Sequence, residues 1–394
     1  RTAMSAVSTA PPLESRVRAD VERELECFFT DRVADAAVYG EDVVELWQLA
    51  AHSVLGGKLV RPRLLIDIYH ALQTSTPAVR GDGASIPAID ISGSASDTPS
   101  MATIVRIASA IELLHYSFLL HDDVIDGDLV RRGQSNLIGA LVESAHRTAL
   151  ATASGPAPRP EQTLHWARAG GILMGDLLLA STHQTFARAP LPYATRERLL
   201  DVLDKAITES VAGEYLDVGL GDGVFAADLD TILRMCGYKT AAYTFELPLL
   251  AAAALAGANP QLERALALAG RHLGLAFQLQ DDLLSTFGDH AEHGKDPFSD
   301  LREGKQTALI AYARMTSGWS EIAEHLGTPN LSVDAARRLR DLLAECGADR
   351  FVQGLIDAQL RAFHSAVGAL SSDAPPRVAE VLTRLAAQLT GRRS

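Results

Sequence analysis

Four carboxylates stand together in His121-Asp122-Asp123-Val124-Ile125-Asp126-Gly127-Asp128, directly after the apolar run Phe118-Leu119-Leu120. On a helix Asp122 and Asp126 share one face at i and i+4, with Asp123 one step round. Like charges this close repel, and beside a buried cleft they need counter-cations or raised pKa values. A solvated acidic helix end produces the same string, so the string alone does not choose. A second pair, Asp281 and Asp282, follows the apolar residues of Phe277-Gln278-Leu279-Gln280 far along the chain. Aspartate pairs on separate bundle helices can face each other across a central cavity. Hard oxygen ligands in that arrangement suit magnesium, which keeps several waters and shares its shell with substrate phosphates. The expected ligand is a diphosphate.

A diphosphate clamped by metal on one side needs Arg and Lys donors on the other. Candidates come in short, separated groups: Gly56-Gly57-Lys58-Leu59-Val60-Arg61-Pro62, then Arg131-Arg132-Gly133 just after the first acidic cluster, then Lys239-Thr240, then Lys295 and Lys305 after the second. Each alone reads as a solvated surface charge. Their joint order beside two aspartate clusters is the informative feature.

The elements that must position these groups are helices. Ala and Leu dominate, β-branched runs are short, and no Asn-Gly or Asp-Gly signal sits between alternating strands. Helical spacing of apolar residues predicts helices over 18–46, 101–126, 196–216, 228–256, 261–287 and 334–367. Apolar positions on more than one face place several of these inside a bundle. Residues 1–16 are expected to be disordered, and 74–100 and 152–162, rich in Ser, Gly and Pro, read as loop insertions within a single domain. With 394 residues and 47% hydrophobic content the chain has material for a large core. Its net charge of −13 argues against nucleic acid as a partner. Cys27, Cys236 and Cys346 match no metal-ligand spacing and read as buried or partly buried residues of a reducing compartment. The most apolar stretch, 247–258, is about half of the ~20 residues a membrane span requires, so it reads as a core helix. No membrane insertion is expected, and the cytoplasm is the expected location.

These motifs, in this order over roughly residues 17–366, resemble the trans-isoprenyl diphosphate synthases of the polyprenyl synthetase family. Asp122, Asp123 and Asp126 with Arg131-Arg132-Gly133 match its first aspartate-rich motif. Gly56-Gly57-Lys58 with Arg61-Pro62 matches its glycine motif, and Gly175-Asp176-Leu177-Leu178, Lys239-Thr240 and Phe277-Gln278 with Asp281-Asp282 match three more. The resemblance implies one all-α bundle around a central active-site cavity, of the isoprenoid synthase type, and a homodimer. It implies that Lys58, Arg61, His115 and Arg132 hold isopentenyl diphosphate. Arg131, Lys239, Thr240, Gln278, Lys295 and Lys305 would surround an allylic diphosphate. About three magnesium ions would sit on Asp122, Asp126 and Asp281, with Asp123 and Asp282 as indirect partners. Cations stabilise the departing diphosphate, the allylic carbon–oxygen bond ionises, and isopentenyl diphosphate attacks through its double bond. The released diphosphate is the nearest base for the final proton.

Two departures stand out. Ser285 occupies the place of a third aspartate in the second motif, and Leu59 stands where many relatives have arginine. In this family the growing tail runs beside the helix before the first aspartate motif, which singles out Leu114, Ser117 and Phe118 as chain-length residues. Bulky Phe118 beside small Ser117 points to geranylgeranyl diphosphate, with farnesyl diphosphate as the near alternative. A terpene cyclase is disfavoured because it has no second diphosphate for Lys58, Arg61 and Arg132 to hold. A non-catalytic subunit of a heteromeric synthase is disfavoured by the retained aspartates.

Overall fold

The structure, a computed structural model, describes residues 13–54, 57–73, 98–131, 133–151, 158–288, 298–370 and 374–391. The chain forms two compact units. The first comprises Arg1–Ile66 with Pro99–Pro190, the second Asp67–Thr98 with Leu191–Ser394. The expectation of one domain rests on uniform composition, and both units are built from the same Ala- and Leu-rich helices, so no composition shift marks the division.

In the first unit lie α1 (Leu13–Ala36), α2 (Glu41–Val54), the start of α3 (Val60–Gln73), α4 (Met101–Asp126), a hairpin of β1 (Val130–Arg131) and β2 (Gln134–Ser135), α5 (Leu137–Ala151) and α6 (Pro160–Ala187). Helix α1 forms because Val17, Val21, Leu25 and Phe29 recur every fourth residue and are all buried. It opens at Leu13, so residues 13–16 are helical rather than disordered. Likewise Pro160, whose missing N–H is harmless at the first helical position, opens α6 inside the segment expected as a loop. Of the rest of that segment, Pro158 and Arg159 are non-helical, while 152–157, like residues 1–12 and 74–97, lie outside the described residues.

Helix α4 spans the predicted range. Ser100 caps it, its hydroxyl accepting from Thr103 N at 3.2 Å, and Gly127 ends it in the left-handed conformation (φ 74°) that glycine adopts without strain. Among the described residues it is the one helix long and apolar enough to cross a membrane, but 78% of its apolar window is buried inside the protein. It is a core helix, packed along α6. Close approach depends on Gly175 of α6, where a methyl group would stand 2.6 Å from His121 Nε2.

The second unit holds the rest of α3, then α7 (Tyr193–Gly221), α8 (Leu229–Cys236), a π-helical stretch (Gly237–Glu246), α9 (Leu247–Leu255) and α10 (Pro260–Phe287). It continues through α11 (Ser299–Glu303), α12 (Ala308–Ala313), α13 (Trp319–His325), α14 (Val333–Glu345), α15 (Ala348–Ala369) and α16 (Pro376–Thr390). Leu279 of α10 packs with Leu309, Leu339, Leu343, Val352 and Ile356 in its core, each such side chain contributing roughly 1.5–3 kcal/mol by burial. Every residue of α9 is buried, as a core helix requires. The architecture is all-α, as expected. Three predicted helices are subdivided: Gly40 (φ 105°) follows the end of α1, Gly347 (φ 86°) separates α14 from α15, and the π-helical turn interrupts 228–256.

Candidate active site

In the first unit the end of α4 splits its aspartates by role. Asp123 points inward and is 2% exposed. Arg131 donates to its Oδ1 from Nε at 3.1 Å and from Nη2 at 2.5 Å. Burial raises the Asp123 carboxyl above its usual range, opposed by Arg131 and by the Asn136 side chain. The hairpin makes this contact possible. Val130 pairs with Ser135 and Arg131 with Gln134, so the chain turns back under α4 immediately after its last turn. Asp122 is half-buried and Asp126 exposed, one turn apart on the same face. Arg131, expected beside an allylic diphosphate, is thus engaged by Asp123; Arg132 lies outside the described residues.

Next to Asp123 opens a cavity of about 280 Å³ lined in part by His52, Ser53, Gly57, Glu112, His115, Tyr116, Asp123, Arg131 and Asn136. The structure therefore brings His115 together with Gly57 of the glycine motif and with the Asp123–Arg131 pair. Lys58 is exposed and Arg61 half-buried at the start of α3. Leu59 is buried in a left-handed conformation (φ 51°), so the residue that departs from the family pattern points into the protein instead of leaving a surface charge absent. Glu112, 7% exposed, was missed by the reading of the sequence, although it lies three residues before His115 and so on the same helical face.

Of the chain-length residues, Leu114 is fully buried and Phe118 half-buried. Ser117 is also fully buried, and its hydroxyl donates to Gly175 O at 2.8 Å, which ties α4 to α6. His121 Nε2 and Asp176 Oδ1, in contact at 3.2 Å, make a second α4–α6 link at the same level.

In the second unit a polar chain runs from the π-helical stretch to α10. The Thr240 hydroxyl donates to Gln278 Oε1 at 2.6 Å, and Gln278 Nε2 donates to Asp282 Oδ1 at 2.9 Å. Asp282 is 4% exposed, and burial pushes its carboxyl up to about 7 against the opposing pull of Lys305, whose Nζ lies 3.9 Å away. Burial would lower the Lys305 ammonium, but Asp300, Asp282 and Asp217 together raise it, keeping it charged. Lys239 Nζ stands 2.6 Å from both Glu214 Oε2 and Asp217 Oδ2 of α7, an i, i+3 acidic pair that the sequence displayed but whose partner it did not reveal. Asp281, next to buried Asp282, is exposed. Ser285 donates to the Asp300 carboxylate, so an acid from a neighbouring helix stands beside the position where the motif lacks its third aspartate. Lys295 lies outside the described residues.

Each unit thus pairs one inward aspartate, Asp123 or Asp282, held by protein cations and amides, with outward carboxylates, Asp122 and Asp126 or Asp281. Among the described residues no three His, Cys, Asp or Glu side chains converge as a closed metal cage. The outward donors are all carboxylate oxygens, which fits magnesium with its shell completed by water and phosphate oxygens. The three cysteines are unpaired thiols; Cys27 is exposed rather than buried, because its position on α1 faces away from Val21, Leu25 and Phe29.

Geranylfarnesyl diphosphate synthase of Aeropyrum pernix is 31% identical over 250 residues, 63% of this chain and 70% of that protein. A (2E,6E)-farnesyl diphosphate synthase of Mycobacterium tuberculosis is 30% identical over 62% of this chain and 61% of its own length. The fold matches the crystal structure of geranylgeranyl pyrophosphate synthase from Corynebacterium glutamicum, complexed with isoprenyl diphosphate and magnesium, with a TM-score of 0.81 at 26% identity over 96% of this chain and 99% of that one. The sequence model of the polyprenyl synthetase family matches residues 44–342, and the chain belongs to that family of trans-isoprenyl diphosphate synthases.

Proposed function

We propose that the protein condenses isopentenyl diphosphate with an allylic diphosphate, releasing diphosphate and forming geranylgeranyl diphosphate. The observation that carries this reading is the division of labour among the aspartates: outward Asp122, Asp126 and Asp281 present hard oxygen donors, while Asp123 and Asp282 are held inside. A polar side chain is not buried against an arginine or a glutamine without cost, and here that arrangement fixes the helix ends that carry the outward acids. Asp122, Asp126 and Asp281 would hold magnesium, which supplies Lewis-acid neutralisation of the diphosphate's charge.

The chain's own residues do the rest. Lys239, ion-paired with Glu214 and Asp217, and Lys305, kept cationic by Asp300, Asp282 and Asp217, stabilise the negative charge that grows on the leaving diphosphate. Lys58, Arg61, His115 and Arg132 hold isopentenyl diphosphate, His115 from the wall of the cavity beside Asp123. No protein base is required, because the departing diphosphate takes the final proton. The geranylgeranyl product is supported by the likeness to the Corynebacterium enzyme and by Phe118 and Ser117 on the helix before the first motif. A homodimer is supported by the exposed apolar side chains Trp166, Leu173 and Leu177 on α6, and the cytoplasm is the compartment proposed.

The test is incubation of purified protein with isopentenyl diphosphate, magnesium and, in parallel, dimethylallyl, geranyl or farnesyl diphosphate, with the dephosphorylated alcohols identified by mass spectrometry. Geranylgeraniol that vanishes with a chelator is the expected result. If isopentenyl diphosphate is not consumed with any primer, the condensation reading fails. Sedimentation velocity checks the dimer.

A further inference from the structure

The stretch that carries Lys239 and Thr240 is irregular for its whole length: Gly237–Glu246 is π-helical. The π-helix is rare and occurs mostly as single-turn bulges, so ten residues in that form need neighbours that impose it. Those neighbours are built into α7 and α10. At Gly213 of α7 a methyl group would stand 2.6 Å from Lys239 Cα and 2.8 Å from the Tyr238 carbonyl carbon, so only a glycine lets α7 lie against this backbone. At Gly274 of α10 a methyl group would stand 2.5 Å from Ala241 Cβ and 2.6 Å from Ala241 Cα, which closes the stretch in from a second side.

One turn before Gly274, Arg271 grips the last residue of the stretch. Its Nε donates to Glu246 Oε1 at 2.8 Å and its Nη2 to Glu246 Oε2 at 3.2 Å, while Nη2 also reaches Glu209 Oε2 of α7 at 3.1 Å. Glu246 is 4% exposed, and Lys205 Nζ lies 3.8 Å from its Oε2. One turn beyond Gly274, Gln278 accepts from Thr240. Arg271, Gly274 and Gln278 are spaced i, i+3 and i+7, a single face of α10 that meets the stretch at its end, its middle and near its start.

We propose that Gly213, Gly274 and the Arg271–Glu246 pair are positioning residues that fix the register of the π-helix and thereby aim Lys239 and Thr240. They act through those two side chains and touch no substrate. Losing the extra residue of the wide turn would rotate the side chains before it by about 100°, taking Lys239 from Glu214 and Asp217 and Thr240 from Gln278. The register is independent of the proposed function; only the identity of the ligand aimed at rests on it.

The variants are Glu246→Gln and Gly274→Ala, with Arg271→Lys as a conservative comparison. In the first readout, hydrogen exchange of the ligand-free protein, the amides of 237–246 should exchange at least tenfold faster in both variants while those of 262–269 keep their rates. In the second, affinity for geranyl thiolodiphosphate with magnesium should fall about tenfold and affinity for isopentenyl diphosphate should hold, with Arg271→Lys intermediate. Unchanged exchange over 237–246 overturns the proposal, and so does acceleration spread evenly over α7 and α10, which a merely structural role would give. Should Gly274→Ala not fold, the milder Glu246→Gln decides by the same criteria. Local acceleration in the variants, with no binding of either diphosphate by the unaltered protein, upholds the register and defeats the proposed function instead.

Discussion

Replacing Asp282 by Asn should remove a pH dependence from the stability of the metal-free protein. In the folded chain burial lifts this carboxyl from 3.8 to about 7, against the opposing attraction of Lys305. Between those values the folded state holds a proton that the unfolded state has released, so the folded state binds more protons and stability falls as pH rises. The burial of Asp282 is harmless below about pH 4, and its full cost is present above about pH 7. At ~1.4 kcal/mol per tenfold change in proton affinity, the ceiling on that cost is about 4 kcal/mol. Asn keeps the shape, and its carbonyl can still accept from Gln278 Nε2, which now donates to Asp282 Oδ1 at 2.9 Å. Urea unfolding of both proteins in EDTA at pH 4.5, 6 and 8 isolates the effect, since every other titrating group is common to the two. The variant's advantage should grow steadily with pH and approach the ceiling at pH 8. If the two stabilities run parallel across that range, within about 0.5 kcal/mol, the account of Asp282 as a buried, proton-holding acid is wrong.

Four further outcomes are expected. Asp122→Ala or Asp281→Ala should reduce turnover at least a hundredfold while leaving the melting temperature unchanged or raised, since each removes a proposed metal ligand and relieves carboxylate repulsion; wild-type turnover would count against the site assignment. Arg131→Met strands Asp123, which is 2% exposed, and should cost roughly 3–5 kcal/mol in denaturant unfolding, part of which Asp123→Asn in the same chain should restore. Gly175→Ala places a methyl group 2.6 Å from His121 Nε2 and should cost about 1–3 kcal/mol, read from thermal unfolding; an unaltered transition would mean that α4 and α6 have room to spare. Phe118→Ala should shift the alcohols seen by mass spectrometry to longer chains, and an unchanged spectrum would locate the floor of the product cavity elsewhere.

Much of this protein is local in sequence and was legible there. Helical class follows from periodicity and composition, and 101–126 and 261–287 were read to within a residue, because a capping Ser100 or a leading Pro260 marks the boundary chemically. That Asp122 and Asp126 share a face follows from the geometry of any helix. The π-helical stretch was not legible: Gly237 at its start and Pro248 just past its end mark weak points in a helix but do not specify a π-helix, and two glycines and an arginine on other helices impose its form.

The roles of the charged residues divide the same way. Which residues are acids and bases, and in what order, the chain declares; which of them face inward and whom they meet, it does not. Asp123 turns in to Arg131 while Asp126, on the same helix end, is exposed, Lys239 is held by Glu214 and Asp217, and Ser285 meets Asp300 from another helix. Periodicity reports that a side chain is buried, because burial depends on one helix face alone. The partner it finds there depends on which second face is laid against the first, and that choice is made only when the helices pack.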